Sequence, residues 1–427
     1  MEQLEKGSKK LLNAWAFYDW ANSVYSLVIA SAVFPIFYDA LFSTRHLTHI
    51  PIFGTSVKGT ALISFVTALA FLMVAFVSPL LSGIADYSGN KKFFLKLFCY
   101  IGAFSCIGLY WFDLDNIYWS LVCYFFGLIG FWGSLVFYNS YLPDIAYPDQ
   151  QDAVSAKGYS MGYIGSVILL IFNLAMVMTA EDSIQAMRIS FISVGVWWII
   201  FSQYTYYYLP KGNKPKNKVT ADVMLNGFRE LQKVWGQLKH NTTLKRYLGA
   251  FFVYSMAVQT VMLVATYFGA EEIEWGEGNK KQMGLIISIL LIQLVAVGGA
   301  IITSKFSEKY GNIKTLVGIN GIWAVICVCA FFITTPVHFY ITAGFVGLVM
   351  GGIQSLSRST YSKMLPETKD TASFFSFYDV TEKIGIVIGM VLYGAIDQMF
   401  GSMRYSVVFL TLFFLIGIVL LLRVLKK

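Results

Sequence analysis

Apolar runs about twenty residues long return along this chain, near 13–41, 59–81, 93–112, 118–141, 158–179, 187–209, 246–270, 282–304, 313–334, 337–358, 372–397 and 404–424. A run of that length crosses the ~30 Å hydrocarbon core of a bilayer as a helix, so the chain reads as an all-α membrane protein with twelve transmembrane helices. Composition agrees, because 57% of residues are hydrophobic and only 13% are charged, about half the ~25% charged that a soluble domain carries. Cys99, Cys106, Cys123, Cys327 and Cys329 all fall inside apolar runs and read as packing residues rather than disulfides or metal ligands. No small-residue cleavage site follows the first run, which is therefore expected to stay as an uncleaved span.

Lysine and arginine orient the spans. With both termini cytoplasmic, the inner segments hold 25 of the 32 basic residues, the outer segments hold Arg45, Lys58, Arg188, Lys280, Lys281 and Arg404, and Lys383 lies within a span (25 + 6 + 1 = 32). That bias places the termini inside. It also accounts for the net charge of +8, so no nucleic-acid partner is needed; the expected partners are a small solute and the lipid bilayer, with the chain acting as a monomer.

The chain divides into 1–209, a six-helix half; 210–245, a linker; and 246–427, a second six-helix half. The linker opens on "PKGNKPKNK" and then places Met224, Phe228, Leu231, Trp235 and Leu238 on one helical stripe. The stripe predicts an amphipathic helix along the cytoplasmic membrane surface, tethering the halves. A repeat joins them: "DYSGNKK" returns as "EKYGNIK" 222 residues later, and Leu142-Pro143-Asp144 returns as Leu365-Pro366-Glu367 at an offset of 223. Shared offsets at equivalent loops indicate two homologous halves in parallel orientation, an architecture suited to alternating access around a midplane site.

The first of those loops, Gly83-x-x-Asp86-x-x-Gly89-x-Lys91-Lys92, resembles the signature loop of the major facilitator superfamily. Its glycines suit close helix ends, its acid can cap a neighbouring helix, and its bases can pair across the halves. These residues, with Gly311 and Lys314 of the repeat, are read as a conformational latch; an ordinary solvated turn is the plain alternative. "AFYDWANSVYSLVIASAVFPIFY", "FYNSYLPDIA", "SAKGYSMGYIGS", "GGIQSLSRSTYSKMLPE" and "SFFSFYDVTEKIG" together resemble the vacuole-effluxer-like branch of that superfamily, over nearly the whole chain. The resemblance implies a major facilitator fold; fungal members export amino acids from the vacuole, and the many bacterial members imply an inner-membrane location. One departure stands in the seventh run, where Met256 and Ala257 replace an acid and a glycine common among relatives.

Ionisable groups inside spans persist only against a cavity or a partner. Asp19, Asn22, Ser23 and Ser26 share one face of the first helix, which either lines a cavity or leaves Asp19 as an interfacial cap touching headgroups near the cytoplasmic end. Asp379, Glu382 and Lys383 sit within the eleventh, where Asp379 and Lys383 can neutralise each other, while Glu382 either pairs with Arg358 or titrates. The tenth carries Gln354 and Arg358, and Arg358 suits a substrate carboxylate or a basic anchor of its helix equally. Asn139, Gln203, Gln259, Gln293 and Asn320 read as interhelical hydrogen-bonding residues; Gly158, Gly162, Gly165, Gly385 and Gly389 read as packing contacts.

These features point to a secondary transporter of a small polar solute, with amino acids or related metabolites the class implied by the resemblance and sugars, peptides or drugs the alternatives. No cofactor is expected beyond a coupled proton. A membrane enzyme fits less well, since His46, His49, His240 and His338 all lie in loops, and a sensor would need an output domain that the linker is too short to supply.

Overall fold

The computed structural model describes residues 4–210, 222–276 and 280–425. Among them, twelve stretches of helix are long and apolar enough to cross a membrane: Lys9–Thr44, Ala61–Ser88, Lys91–Trp111, Ile117–Ile145, Gln151–Thr179, Ser183–Tyr208, Thr242–Glu272, Met283–Tyr310, Asn312–Ala330, Pro336–Met364, Thr371–Phe400 and Met403–Leu425. With an even number of spans, both ends of the chain emerge on one face. We call it the basic face, because it also carries the lysine-rich connections between spans two and three, six and seven, and eight and nine.

Two apolar cores divide the molecule. One joins buried residues from Leu11 to Leu209, with Ala372 added; the other runs from Val234 to Leu421, with Tyr163 added. Each half therefore buries its own apolar surface, and the exchanged residues mark where the halves meet. There the fifth span lies against the eighth and tenth, and the eleventh against the second and fourth. Within the second half, the eighth and tenth spans meet backbone to backbone. A Cβ built at Gly351 would stand 2.1 Å from the Ala296 carbonyl oxygen, so only glycine permits that approach.

Two elements escape the apolar-run reading. A two-stranded antiparallel hairpin, His49–Ile52 with Thr55–Lys58, links the first and second spans on the far face. The first span also widens over Tyr25–Val33 into a π-helical stretch. Pro35 follows it, and a proline without an N–H leaves the preceding turn one bond short. The Ser31 hydroxyl donates to the Ser26 carbonyl five residues back at 2.9 Å. Such widenings occur often at functional positions in helices, and this one leaves Ser26, Ala30 and Ser31 exposed.

The linker helix is Asp222–His240. The Met224 and Phe228 part of its stripe lies outside the described side chains. Further along, Val234 and Leu238 are buried, and the helix packs against the second, seventh and eleventh spans. Trp235 stands 5.6 Å from Phe377 of the eleventh span, ring to ring. Lys233 pairs with Asp370, just before the eleventh span, at 2.9 Å. Hydrogen bonds to Asp370 and then Glu230 hold the Lys233 ammonium above its ordinary lysine value. The linker helix thus docks on protein through Leu238 of the stripe and through Val234, an apolar contact outside it.

Candidate functional site

Three groups of polar contacts among the described residues join the halves, beginning at the basic face. The second span ends on Gly89, whose φ of +65° suits glycine. One turn earlier, the Asp86 carboxylate reaches across to the other half. It accepts from the backbone N–H groups of Ala372 at 3.2 Å and Ser373 at 2.7 Å, which are unpaired donors in the first turn of the eleventh helix. Lys91 bonds both Asp144 of its own half and the Thr371 hydroxyl of the other.

The equivalent contact in the second half is built differently. Here the acid sits on the first half, as Asp152 in the first turn of the fifth span. It accepts from Ser307 Oγ at 2.9 Å, Asn312 Nδ2 at 2.9 Å and Lys363 Nζ at 2.6 Å. Three residues read as latch members, Lys314, Lys92 and Gly83, stand apart from these contacts. Lys314 is exposed, and its neighbour Asn312 makes the cross-half bond instead, since a helix start turns successive side chains in different directions. Gly311, with φ +85°, supplies the turn before it. Lys92 donates to the Leu209 carbonyl at 2.8 Å, tying the third span to the end of the sixth within one half, so Lys91 is the base that crosses. Gly83 is buried within the second span.

Roughly one helical turn deeper, past Lys363 on the tenth span and Asp152 on the fifth, lies Arg358, which is 2% exposed. Its Nη1 and Nη2 lie 3.3 Å and 3.2 Å from Asp19 Oδ2 on the first span. Its Nε donates to Ser155 Oγ at 2.9 Å, Nη2 to the Ser155 carbonyl at 2.9 Å, and Nη1 to Asn139 at 3.2 Å. The guanidinium carbon is 4.8 Å from the Trp15 ring centre, 5.4 Å from that of Tyr138 and 4.2 Å from that of Tyr159. Tyr138 also donates to Asp19 Oδ2 at 2.9 Å. A planar cation stacked on aromatic faces and forked onto a carboxylate is held by all of its parts at once. Gly158 makes room for it: a Cβ there would stand 2.4 Å from Asp19 Oδ2. Arg358 is therefore engaged by Asp19, neither available to a solute carboxylate in this state nor a solvated anchor, and it does not pair with Glu382.

The third group lies on the eleventh span. Lys383 Nζ stands 2.9 Å from Asp379 Oδ1 and 3.2 Å from Glu382 Oε2. Gln259 of the seventh span donates to Glu382 Oε1 at 2.8 Å, and Trp132 of the fourth places its ring centre 3.7 Å from the ammonium. Nearby, Tyr163 donates to Gln354 Oε1 at 2.7 Å, joining the fifth span to the tenth. Asn22 is 1% exposed, its Nδ2 has no partner among the described residues, and Ser23 donates to its Oδ1 at 3.4 Å. Met256 fills the space beside Gly385 and Gly389.

The structure thus joins Asp19 to Arg358 and Asp379 to Glu382 and Lys383. It adds Tyr138, Tyr159, Ser155, Asp152, Trp132 and Gln259, which sequence reading did not single out as site residues. Gln259 and Asn139 were legible as lone polar residues in spans. The aromatic partners carried no signal, because aromatic residues are common throughout this chain.

Known proteins supply the remaining context. Residues 7–427 match the family model described as vacuole effluxer Atg22 like. A Bacillus subtilis protein named as an uncharacterized MFS-type transporter, YxiO, is 31% identical over 96% of this chain and 93% of its own length. Autophagy-related protein 22 of Saccharomyces cerevisiae is 25% identical over 83% of this chain and 76% of its own. Among solved structures, the E. coli fucose:proton symporter FucP superposes with a TM-score of 0.69 at 15% identity, covering 97% of both chains. The same transporter in its outward conformation gives 0.67 at 13% identity, covering 97% of this chain and 98% of that one. These solved structures share the fold. An integral, multi-pass membrane protein with two homologous six-helix halves, this chain belongs to the vacuole effluxer Atg22-like family of major facilitator transporters.

Proposed function

We propose that the protein moves amino acids or related small metabolites across a bacterial inner membrane by alternating access, as a monomer, and that proton movement drives it. One observation carries the reading of alternating access. The cross-half ion pairs Arg358–Asp19 and Lys363–Asp152, and the capping of the eleventh helix by Asp86, all lie toward the basic face. A path closed on one side by breakable contacts is what a rocking pair of halves requires. The amino-acid class is what the resemblance to the vacuole effluxer Atg22-like family implies. Counterflow of labelled amino acids, sugars and peptides in sealed proteoliposomes tests it: uptake of an amino acid against its unlabelled form is expected, and uptake confined to sugars or peptides reverses the class.

In this reading the basic face is cytoplasmic, which the 25-to-6 distribution of lysine and arginine supports. A Lys218→Cys variant is then labelled by an impermeant maleimide only after the membrane is opened. Labelling from outside intact cells would invert the topology.

The Asp86 contact is a latch on this closed side. Asp86→Asn keeps one acceptor but loses the charge at a helix N-terminus, weakening the closed state by about 1 kcal/mol, roughly fivefold in population. The expected result is a shift of spin-label distances between the halves toward opening on the basic face and slower net transport. Substrate affinity stays within a few-fold, since the latch lies well away from the midplane. A large affinity loss with unchanged exchange rates would place Asp86 in the binding site instead.

Coupling to protons is supported by the uneven charge on the eleventh span, where Asp379 and Glu382 face the single ammonium of Lys383. With both carboxylates ionised, one negative charge is in excess, and a proton bound there in one access state and released in the other is what a gradient drives.

A further inference from the structure

The surroundings of Lys383 are those of a bound ligand. Its ammonium is held between Asp379 Oδ1 and Glu382 Oε2 and rests 3.7 Å from the centre of the Trp132 ring. Gln259 orients Glu382 from the side. Carboxylate acceptors with an aromatic face are how proteins recognise a free ammonium group. Acceptor capacity remains: Asp379 is 6% exposed, and its Oδ2 has no partner among the described residues. The other charged groups nearby do not fill that capacity, because Arg358 is engaged by Asp19, and Tyr159, Tyr254 and Tyr378, which lie within electrostatic reach of Glu382, are not cations.

We infer that the eleventh span carries a receptor for a protonated primary amine, filled in this state by Lys383, and that the amino group of a transported solute displaces the lysine from it. The inference rests on the transport reading above and narrows it to solutes bearing a free amine. The receptor spans both halves, with Trp132 from the first and Asp379, Glu382 and Gln259 from the second, so its occupant contacts both moving parts. Lys383 can leave because its ammonium sits on a flexible four-carbon stem. A proton and a solute amine answer the same excess negative charge, so each is expected to oppose binding of the other.

Two measurements test this. In purified Lys383→Ala the receptor is vacant, and methylammonium or ethylammonium chloride is expected to raise the thermal midpoint by several degrees over sodium chloride at equal ionic strength. Tetramethylammonium, which has no N–H to donate to the carboxylates, is expected to raise it less, and adding Glu382→Gln removes the gain. If Lys383→Ala does not fold, Lys383→Ala/Asp379→Asn, with the same single excess charge as the native cluster, carries the same measurement. No amine-specific shift in the folded variant overturns the receptor. In proteoliposomes of the unmutated protein, a solute that shows counterflow is challenged with its decarboxylated and deaminated analogues. The amine is expected to compete at least about tenfold better than the acid. Equal competition by the acid overturns the displacement and leaves transport standing. Failure of every solute to show counterflow overturns the transport reading, and the thermal measurement still decides the receptor.

Discussion

Replacing Arg358 by alanine destabilises the folded protein by about 3–5 kcal/mol, the cost of leaving a buried charge without its partner. The Asp19 side chain is only 6% exposed, and without the guanidinium it keeps the Tyr138 hydroxyl as the one bond to Oδ2 described here. Ser155 and Asn139 lose their shared donor, and Trp15, Tyr138 and Tyr159 lose the cation beside their rings. Because the pair joins the first and tenth spans, its loss also frees the halves to part on the basic face. The double variant Asp19→Asn/Arg358→Gln removes both charges while retaining polar groups of similar size, so most of the loss is recovered. Thermal unfolding in detergent measures both variants, and spin-label distances report the opening. A single variant within 1 kcal/mol of the native protein would show that Asp19 is neutral or solvated in the folded state, contrary to the geometry.

Glu382→Gln abolishes gradient-driven accumulation, while exchange of labelled for unlabelled solute persists at saturating concentration with an affinity weakened by the loss of one acceptor of the solute amine. The substitution keeps an acceptor for the amide of Gln259 and removes one of two carboxylates facing Lys383, so Asp379 and Lys383 then balance. No excess charge remains to take up a proton, and a gradient acts only through a site whose proton affinity differs between the two access states. Exchange requires no net proton movement and continues. Asp19 offers no such role while Arg358 neutralises it, so Asp19→Asn acts chiefly on stability. The comparison is made in vesicles with an imposed pH difference. If transport by the unmutated protein ignores that difference, Glu382 is a structural partner of Lys383 and Gln259, and the coupling is wrong.

Much of the architecture was legible in the residues themselves. Twelve apolar runs, a lysine and arginine bias and two repeated phrases are properties of the chain in order, and lipid admits few answers to them. Asp379 and Lys383 were readable as a pair because i and i+4 face each other on any helix. Asp86 was readable as a cap because an acid one turn before a helix end has few other uses there. The partnership of Asp19 with Arg358 was not readable. The two lie 339 positions apart, and Arg358 alone is compatible with an anchor, a solute ligand or an ion pair.

What the sequence determined by itself, then, is the number of spans, the division into related halves, and which polar residues must find a partner or a cavity inside a membrane. What only the tertiary structure decided is which partner each one found. Asp19 met Arg358 because Gly158 leaves space for the carboxylate. Lys383 met Trp132 because the fourth span crosses the eleventh there. Asn312 replaced Lys314 because the start of the ninth helix turns one toward Asp152 and the other toward solvent. A buried charge imposes the need for a counter-charge wherever it sits, but the identity of that counter-charge depends on how helices from two halves pack, and no local pattern encodes that.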